Sequence, residues 1–429
     1  MSNRILCQGH YINNDTWATG LNNNDVIIGP SGAGKTRGYV LPNLLQCAME
    51  GKESLIVTDT KGNLRKTVSK TLRERGYQVV EINFRDCQNT PCGYNPLMYI
   101  RQDAKRNSYN EQDIMQVAAI LSPVNTKHDP FWELSARMAL ATMISYVLEY
   151  LPYKEHHLGS VIRLMREMGT GKFDSLMEEV CVIAPDSFTA TQYQMLKNVQ
   201  GSQRTYSSIL AFIAEKLSPF AFSGAQRLFT YDRQLYFQNL GSSKTAVFLN
   251  VSDIDRSMDA LVTLFYTQTL QVLCAHADRQ ADSRLRVPVR LIMDDFAAGA
   301  AGCIPDFDQL TSVIRSREIS VSIILQSLSQ LEATYGHHKA ITIVNNCDHL
   351  LYLGGQDVET AKYVAVKANK SVHTILDMPL DHAWLFTRGQ APKEVQKYKL
   401  ESHPLYQLGK SVEKHGHAQN PEPPPEFEA

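Results

Sequence analysis

One segment constrains this chain more than any other. Gly29-Pro30-Ser31-Gly32-Ala33-Gly34-Lys35-Thr36 fits G-x-x-x-x-G-K-[ST] and lies directly after the apolar run Val26-Ile27-Ile28 and before a helical stretch. At ordinary residue frequencies the four fixed positions would match by chance in roughly one in 60 chains of this length, and the strand context lowers that further. The chemistry follows from the residue types. Glycines let backbone N–H groups close around phosphates, Lys35 sets a cation on the β/γ oxygens, and the Thr36 hydroxyl can ligate magnesium. ATP and Mg²⁺ are the expected ligands.

The loop sits in an alternating pattern. Short apolar runs bounded by polar turns end at Ile28, at Asp59 (SLIVTD) and at Asn83 (YQVVEIN), as buried parallel strands require. Between about Ile100 and Tyr236 the period becomes helical. Asp129-Pro130 reads as an N-cap with Pro at the first helical position, followed by Leu134, Met138, Ala141, Ile144, Leu148 and Leu151 at three- or four-residue spacing. Val161 to Met168 and Tyr206 to Leu217 repeat that spacing, and the block shows no convincing strand. Strands resume with TAVFLNVS (245–252), VRLIMDDF (289–296), VSIILQS (321–327), HLLYLG (349–354) and HAWLFT (382–387), with a helix over Met258 to Ala277. The expected architecture is α/β, one mainly parallel sheet built from both ends of the chain and flanked by helices, with an all-α domain inserted. The division is 1–99 and 237–410 for the two parts of the nucleotide-binding domain, 100–236 for the insert, and 411–429 for a disordered acidic, Pro-rich tail.

Charge limits the partners. Lys+Arg is 43 and Asp+Glu is 44 in 429 residues, a formal net charge of −1, so the chain has no global basic footprint for duplex DNA. Any nucleic-acid contact is local. Candidate basic groups are Lys61, Arg65, Lys66, Lys70, Arg73 and Arg75 on one predicted helix, with Arg101, Lys105 and Arg106 beyond; a solvated helix face explains the first cluster as well. Eight cysteines without a C-x-x-C pair suggest free thiols in a reducing compartment. The start has no secretory leader pattern and no apolar stretch is long enough to span a bilayer, so the expectation is a cytoplasmic protein.

A P-loop needs an acid for the metal and a group for the attacking water. Val289 to Phe296 supplies an apolar strand ending in Asp294-Asp295: Asp294 would serve Mg²⁺ and Asp295 would orient or deprotonate water. Gln326 ends a later strand and would sense a γ-phosphate. Arg315 and Arg317 precede that strand; either could reach the nucleotide of an adjacent subunit, or both could simply be a solvated helix end.

Taken in order, these motifs resemble the type IV coupling proteins, the TraG/TraD-like ATPases of conjugative DNA transfer. GPSGAGKTRGYVLPN (29–43) is similar to that family's P-loop with its V-x-PN signature, LIVTDTKGNL (55–64) to its second-strand motif, Tyr94-Asn95-Pro96-Leu97 to YNPL, and Asp129 to Trp132 to DPFW. The likeness continues through Asp294-Asp295-Phe296, Ile304-Pro305, Arg315-Ser316-Arg317, Ile324 to Ser327, and Asn346-Cys347-Asp348 to Gly354. The resemblance implies a RecA-like motor domain, ATP hydrolysis, a homo-oligomeric ring of six, and delivery of relaxase-linked single-stranded DNA to a type IV secretion channel. It also implies Lys35 and Thr36 as nucleotide and Mg²⁺ ligands, Asp294 as the metal acid, Gln326 as γ-phosphate sensor, and Arg315, before Arg317, as an arginine supplied in trans. This chain departs from the family pattern at Asp295, where Glu is usual, and at Thr60 and Asn63, where Pro and Glu are usual. Members begin with membrane-spanning helices and this chain shows none, which reads as a soluble form or one whose anchor is missing, with attachment at the inner membrane face through a partner.

Two other functions share parts of the pattern. A nucleotide-binding recruitment adaptor with little hydrolysis is compatible with Asp295 and the missing anchor. An FtsK/HerA-type DNA motor shares the chemistry, but DPFW and YNPL argue against it.

Overall fold

The order of strands explains why the P-loop lies where it does. The protein is described here from a computed structural model, covering residues 2–103, 108–124, 130–201, 203–296 and 303–407. Asp129, Lys105, Arg106 and the expected tail 411–429 lie outside the described residues. β1 (Asn3–Cys7) and β2 (His10–Asn13) form an antiparallel hairpin. β3 (Asp25–Ile28), β4 (Ser54–Asp59) and β5 (Gln78–Asn83) follow, then the two-residue strands β6 (Gln102–Asp103) and β7 (Ser108–Tyr109). β8 (Thr245–Asn250), β9 (Val289–Met293), β10 (Ile319–Leu325), β11 (His349–Tyr352), β12 (His382–Thr387) and β13 (Lys393–Gln396) complete the set. Nine of these make one sheet in the order β13-β12-β11-β3-β10-β9-β4-β8-β5. β3, β4, β9, β10 and β11 are buried along their whole length, as central parallel strands flanked by helices on both faces must be.

The sheet differs from the expected one at its edge. β12 runs antiparallel to β11, and β13 antiparallel to β12. β13, Lys-Glu-Val-Gln, buries only Val395, so its charged side chains protect an exposed edge and carry no apolar run to read.

The helical region also departs in detail. Its central helix, Phe131–Tyr150, is buried around most of its circumference, including Ala139, Leu140, Ala141, Met143, Ile144 and Val147. An amphipathic stripe therefore does not describe it, and Leu134, expected on the apolar face, is exposed. Pro130 occupies the N-cap position, one residue earlier than expected. The β6–β7 pair inserts two short strands where none was expected. Among the described residues, no helix is long and apolar enough to cross a membrane. Asn95 and Tyr94 of the YNPL segment tie this region to the helix Asp259–Asp278: Asn95 Nδ2 donates to the His156 carbonyl at 2.7 Å and Tyr94 Oη to Gln268 Oε1 at 2.7 Å.

At the amino ends of the central strands lies a buried ionic network. Arg4 in β1 uses all five guanidinium donors. Nε reaches Asp25 Oδ2 at 2.9 Å, Nη2 reaches Asp25 Oδ1 at 3.0 Å and His349 Nδ1 at 2.9 Å, and Nη1 reaches Asn14 and Asn23. Arg290 of β9 bonds Glu53 at 3.2 Å and stands 3.6 Å from Asp25, whose Oδ2 also accepts from Tyr39 Oη at 2.6 Å. Burial opposes ionisation of Asp25, but the charges of Arg4 and Arg290 outweigh it and hold the carboxyl below its usual range.

Because Arg4 donates to Nδ1, the proton of neutral His349 sits on Nε2, a buried atom without a hydrogen-bond partner. Burial, then Arg4, pushes the His349 imidazole down to about 4. In an unfolded chain it titrates near ~6.5, so the unfolded state takes up the proton first and stability falls as pH drops from that value toward 4. The expected loss between pH 7.5 and pH 5 is about 2 kcal/mol from this residue. Urea unfolding at the two pH values should show it, and His349→Gln, which can still accept from Arg4, should flatten the dependence.

Candidate nucleotide site

The P-loop leaves the carboxyl end of β3 at the edge where β4, β8, β9, β10 and β11 also end, since Ile28 is in register with both Leu325 and Tyr352. Ligands of open α/β sheets bind at this edge. Gly32 and Gly34 have φ of 81° and 94°, and a Cβ added at either would meet nothing within 4 Å, so the loop is both left-handed and open at these points.

The helix after the loop starts irregularly for a local reason. Thr36–Val40 is a π-helical turn, with Leu41 N–H donating to the Thr36 carbonyl, and it passes into the α-helix Leu41–Glu50. Pro42 has no N–H for the carbonyl of Gly38, so the ladder must break here. Asn43 repairs the break: its Nδ2 donates to the Tyr39 and Ile5 carbonyls, and its Oδ1 accepts from Ile5 N, each at 2.8 Å. The V-x-PN signature thus fastens the P-loop helix to β1.

Lys35 Nζ donates to the Gly29 carbonyl at 2.7 Å and the Pro30 carbonyl at 3.3 Å. Desolvation lowers its pKa, opposed by Asp295 and Asp294. Thr36 is exposed beside it. Asp294, just past the end of β9, is buried; burial first, then the charge of Asp295, raises its carboxyl to about 6, against Lys35. Asp295 has φ 50° and Gln326 Nε2 donates to its Oδ1 at 3.2 Å. Asp tolerates the left-handed region better than most residues, which gives a backbone reason for Asp at this position. Lys35, Thr36, Asp294, Asp295 and Gln326 are therefore brought to one edge. A buried, partly neutralised carboxylate beside a second one is relieved by a bound dication, so this set fits a magnesium nucleotide.

Arg315 and Arg317 are not part of that group. They form a turn before β10, and Ile319 is in register with Val289 at the start of β9, so both arginines stand at the opposite edge of the sheet. A seven-residue strand puts them roughly 20 Å from the P-loop. Arg315 Nη2 donates to the Thr16 carbonyl at 3.0 Å; Arg317 pairs with Asp278 at 2.8 Å.

Two lysines add to the site. Lys61 lies in the turn after β4, ahead of the helix Leu64–Glu74 on which it was expected, and its charge acts on both Lys35 and Asp294. Its membership in the TDTKGN segment was the available signal. Lys397 Nζ donates to the Ala33 carbonyl of the P-loop at 3.0 Å. No local motif marks it. Elsewhere in the basic cluster Arg65 pairs with Glu81 at 2.9 Å, and Arg101 is held by Asp113 at 2.8 Å.

The family described as Type IV secretory system Conjugative DNA transfer matches residues 4–370. The chain belongs to this family. Two VirD4 proteins are similar to it: that of Rhizobium rhizogenes is 22% identical over 364 residues, 83% of this chain and 50% of the relative. That of Rhizobium radiobacter is 22% identical over 347 residues, 79% and 47%. The chain thus spans about half the length of the curated relatives it matches. Among solved structures, plasmid coupling protein TrwB in complex with ADPNP superposes with TM-score 0.64 at 16% identity, covering 88% of this chain and 85% of TrwB. VirB4 of Thermoanaerobacter pseudethanolicus gives 0.58 at 14% identity over 95% and 98%. The coupling-protein fold, a mostly parallel sheet flanked by helices with a helical region, is shared.

Proposed function

We propose that the chain is a coupling ATPase of conjugation: a Mg²⁺-dependent ATP-driven translocase that recruits relaxase-linked single-stranded DNA to a type IV secretion channel. The carrying observation is the meeting of Lys35, Asp294, Asp295 and Gln326 at one sheet edge in a chain of this family. TrwB has been solved with ADPNP and with ADP and Mg²⁺, which supports nucleotide and magnesium as ligands here. The backbone of Gly29 to Thr36, with Lys35, would hold the phosphates, and Thr36 and Asp294 the metal. Asp295, oriented by Gln326, would align water and take its proton. Arg315 would act on the site of a neighbouring copy, in a ring of six. The proposed division is a nucleotide-binding domain from 1–99 and 237–410 with 100–236 inserted, working in the cytoplasm at the membrane-associated channel.

Phosphate release measured with and without single-stranded DNA tests this reading. Stimulated, Mg²⁺-dependent turnover supports it; nucleotide-independent DNA binding without any phosphate release would sink it. The recruitment-adaptor reading draws on the short Asp295 side chain already held by Gln326. It expects ATP binding with no turnover and no gain in Asp295→Glu, whereas a motor limited by reach should gain several-fold, on the order of 1 kcal/mol of barrier.

A further inference from the structure

The nucleotide edge of one copy has Arg315 out of reach, and the surface around Arg315 is built unlike an ordinary solvated face. Arg315 Nη2 is bonded to the carbonyl of Thr16. The next residue, Trp17, is 67% exposed, and the Arg284 guanidinium covers its ring at 4.5 Å from the centroid while facing Glu318 at 3.7 Å. The turn that presents Trp17 is fixed: Asp15 accepts from the backbone N–H of Trp17 and of Ala18 at 3.0 Å each, and Gly20 ends it at φ 69°. Tryptophan is rarely left so open, and Trp and Arg together are the residues that dominate protein contacts. Exposed Arg279, Arg286 and Arg388 share this end of the sheet.

The P-loop end is its complement. The two most exposed large apolar side chains among the described residues, Leu380 at 92% and Ile254 at 88%, both stand there. Exposed aspartates flank them: Asp377 and Asp381 near Leu380, Asp253 and Asp255 around Ile254. Leu380 belongs to the P-loop rim itself. The Asp381 carbonyl accepts from Lys397 N at 2.8 Å, and Lys397 Nζ holds the Ala33 carbonyl.

The Trp17–Arg284 pair and the Leu380–Asp381 rim, on opposite edges of one sheet, cannot meet within a copy. They can meet head to tail between copies, a heterologous contact that closes into a ring if the rotation closes. We propose that Trp17, clamped by Arg284, is the anchor by which one copy docks on the Leu380–Asp381 rim beside the P-loop of the next. This rests on the reading of Arg315 as a group supplied in trans, because Trp17 follows the residue that holds Arg315 and must reach the same rim.

Sedimentation velocity of the full chain with Mg²⁺ and a non-hydrolysable ATP analogue tests it. Wild type should self-associate; Trp17→Ala and Leu380→Glu should each raise the concentration for half-association at least about tenfold, and Trp17→Phe should recover most of it. Binding of a fluorescent ATP analogue by the dissociated chain should stay within about twofold in the Trp17 variants, showing that they fold. In a Cys303→Ser background, a Trp17→Cys chain mixed with a Leu380→Cys chain should cross-link on oxidation, and neither alone should. Unchanged association of Trp17→Ala, a wild type that stays monomeric, or association without the mixed cross-link would each overturn the proposal. These outcomes separate from the nucleotide reading: a monomer that binds the analogue keeps that reading and loses this one, and Trp17-dependent association without nucleotide binding does the reverse.

Discussion

Lys35→Ala should release phosphate from ATP at least about a hundredfold more slowly than wild type, the scale of losing one preorganised charge at a phosphoryl-transfer site. The expectation follows from where Lys35 stands. Its ammonium is bonded to two P-loop carbonyls and carries its charge toward Asp294 and Asp295. Removing it deletes the cation meant for the β/γ oxygens and leaves the two carboxylates to repel each other more strongly. Its hydrogen bonds go to the loop alone, so the fold should hold, and the thermal midpoint should shift by no more than a few degrees, about 1 kcal/mol. Steady-state phosphate release on wild type and variant, with unfolding followed on the same samples, decides it. Turnover unchanged by the substitution would remove the P-loop from the mechanism. Lys35→Arg should not rescue, because a planar fork cannot occupy the place of a compact point charge among the loop carbonyls.

The parts of this architecture readable beforehand are those written as contiguous runs. A parallel strand buried on both faces must be continuously apolar, so Ser54–Asp59 and His349–Tyr352 announce themselves, and a chemistry-bearing residue at the end of such a strand is marked by the run before it. Asp294, Asp295 and Gln326 are of that kind, and Lys35 is marked by the glycine spacing of its loop. β13 and β2 carry no such run, since an edge strand keeps polar side chains in water. Lys397 is invisible for a related reason: it comes to Ala33 from 364 residues away, carried by that edge strand. Arg315 was readable as a motif but not as a position, because only the register of β10 against β9 shows that it faces away from its own P-loop. Near-zero net charge, by contrast, says nothing of where the charges sit: Arg4, Arg290, Asp25 and Glu53 are sunk in the interior and cancel one another in the tally.

Asp25→Ala carries the other large expected effect, a loss of about 3–5 kcal/mol in unfolding free energy, the range for breaking a buried ion pair by removing one partner. Asp25 is 1% exposed and is the anion shared by Arg4 and Arg290, so its removal strands the buried Arg4 guanidinium, leaves Arg290 with Glu53 alone and orphans the Tyr39 hydroxyl on one side. Ordinary stabilities are about 5–15 kcal/mol, so the variant would be marginal at growth temperature. Asp25→Asn keeps the shape and one acceptor but not the charge, and should lie between the two. Urea midpoints on the three chains measure this, and a change under about 1 kcal/mol for Asp25→Ala would mean that water reaches the arginines and the network is not structural. The effect should extend to the nucleotide edge. β3 is four residues long, with Asp25 at one end and Ile28, just before Gly29, at the other, and Arg290 opens the strand that leads to Asp294. Releasing Asp25 frees both strands to shift at the end remote from the phosphates, so Asp25→Ala that remains folded at low temperature should bind nucleotide more weakly without any change to a residue of the P-loop.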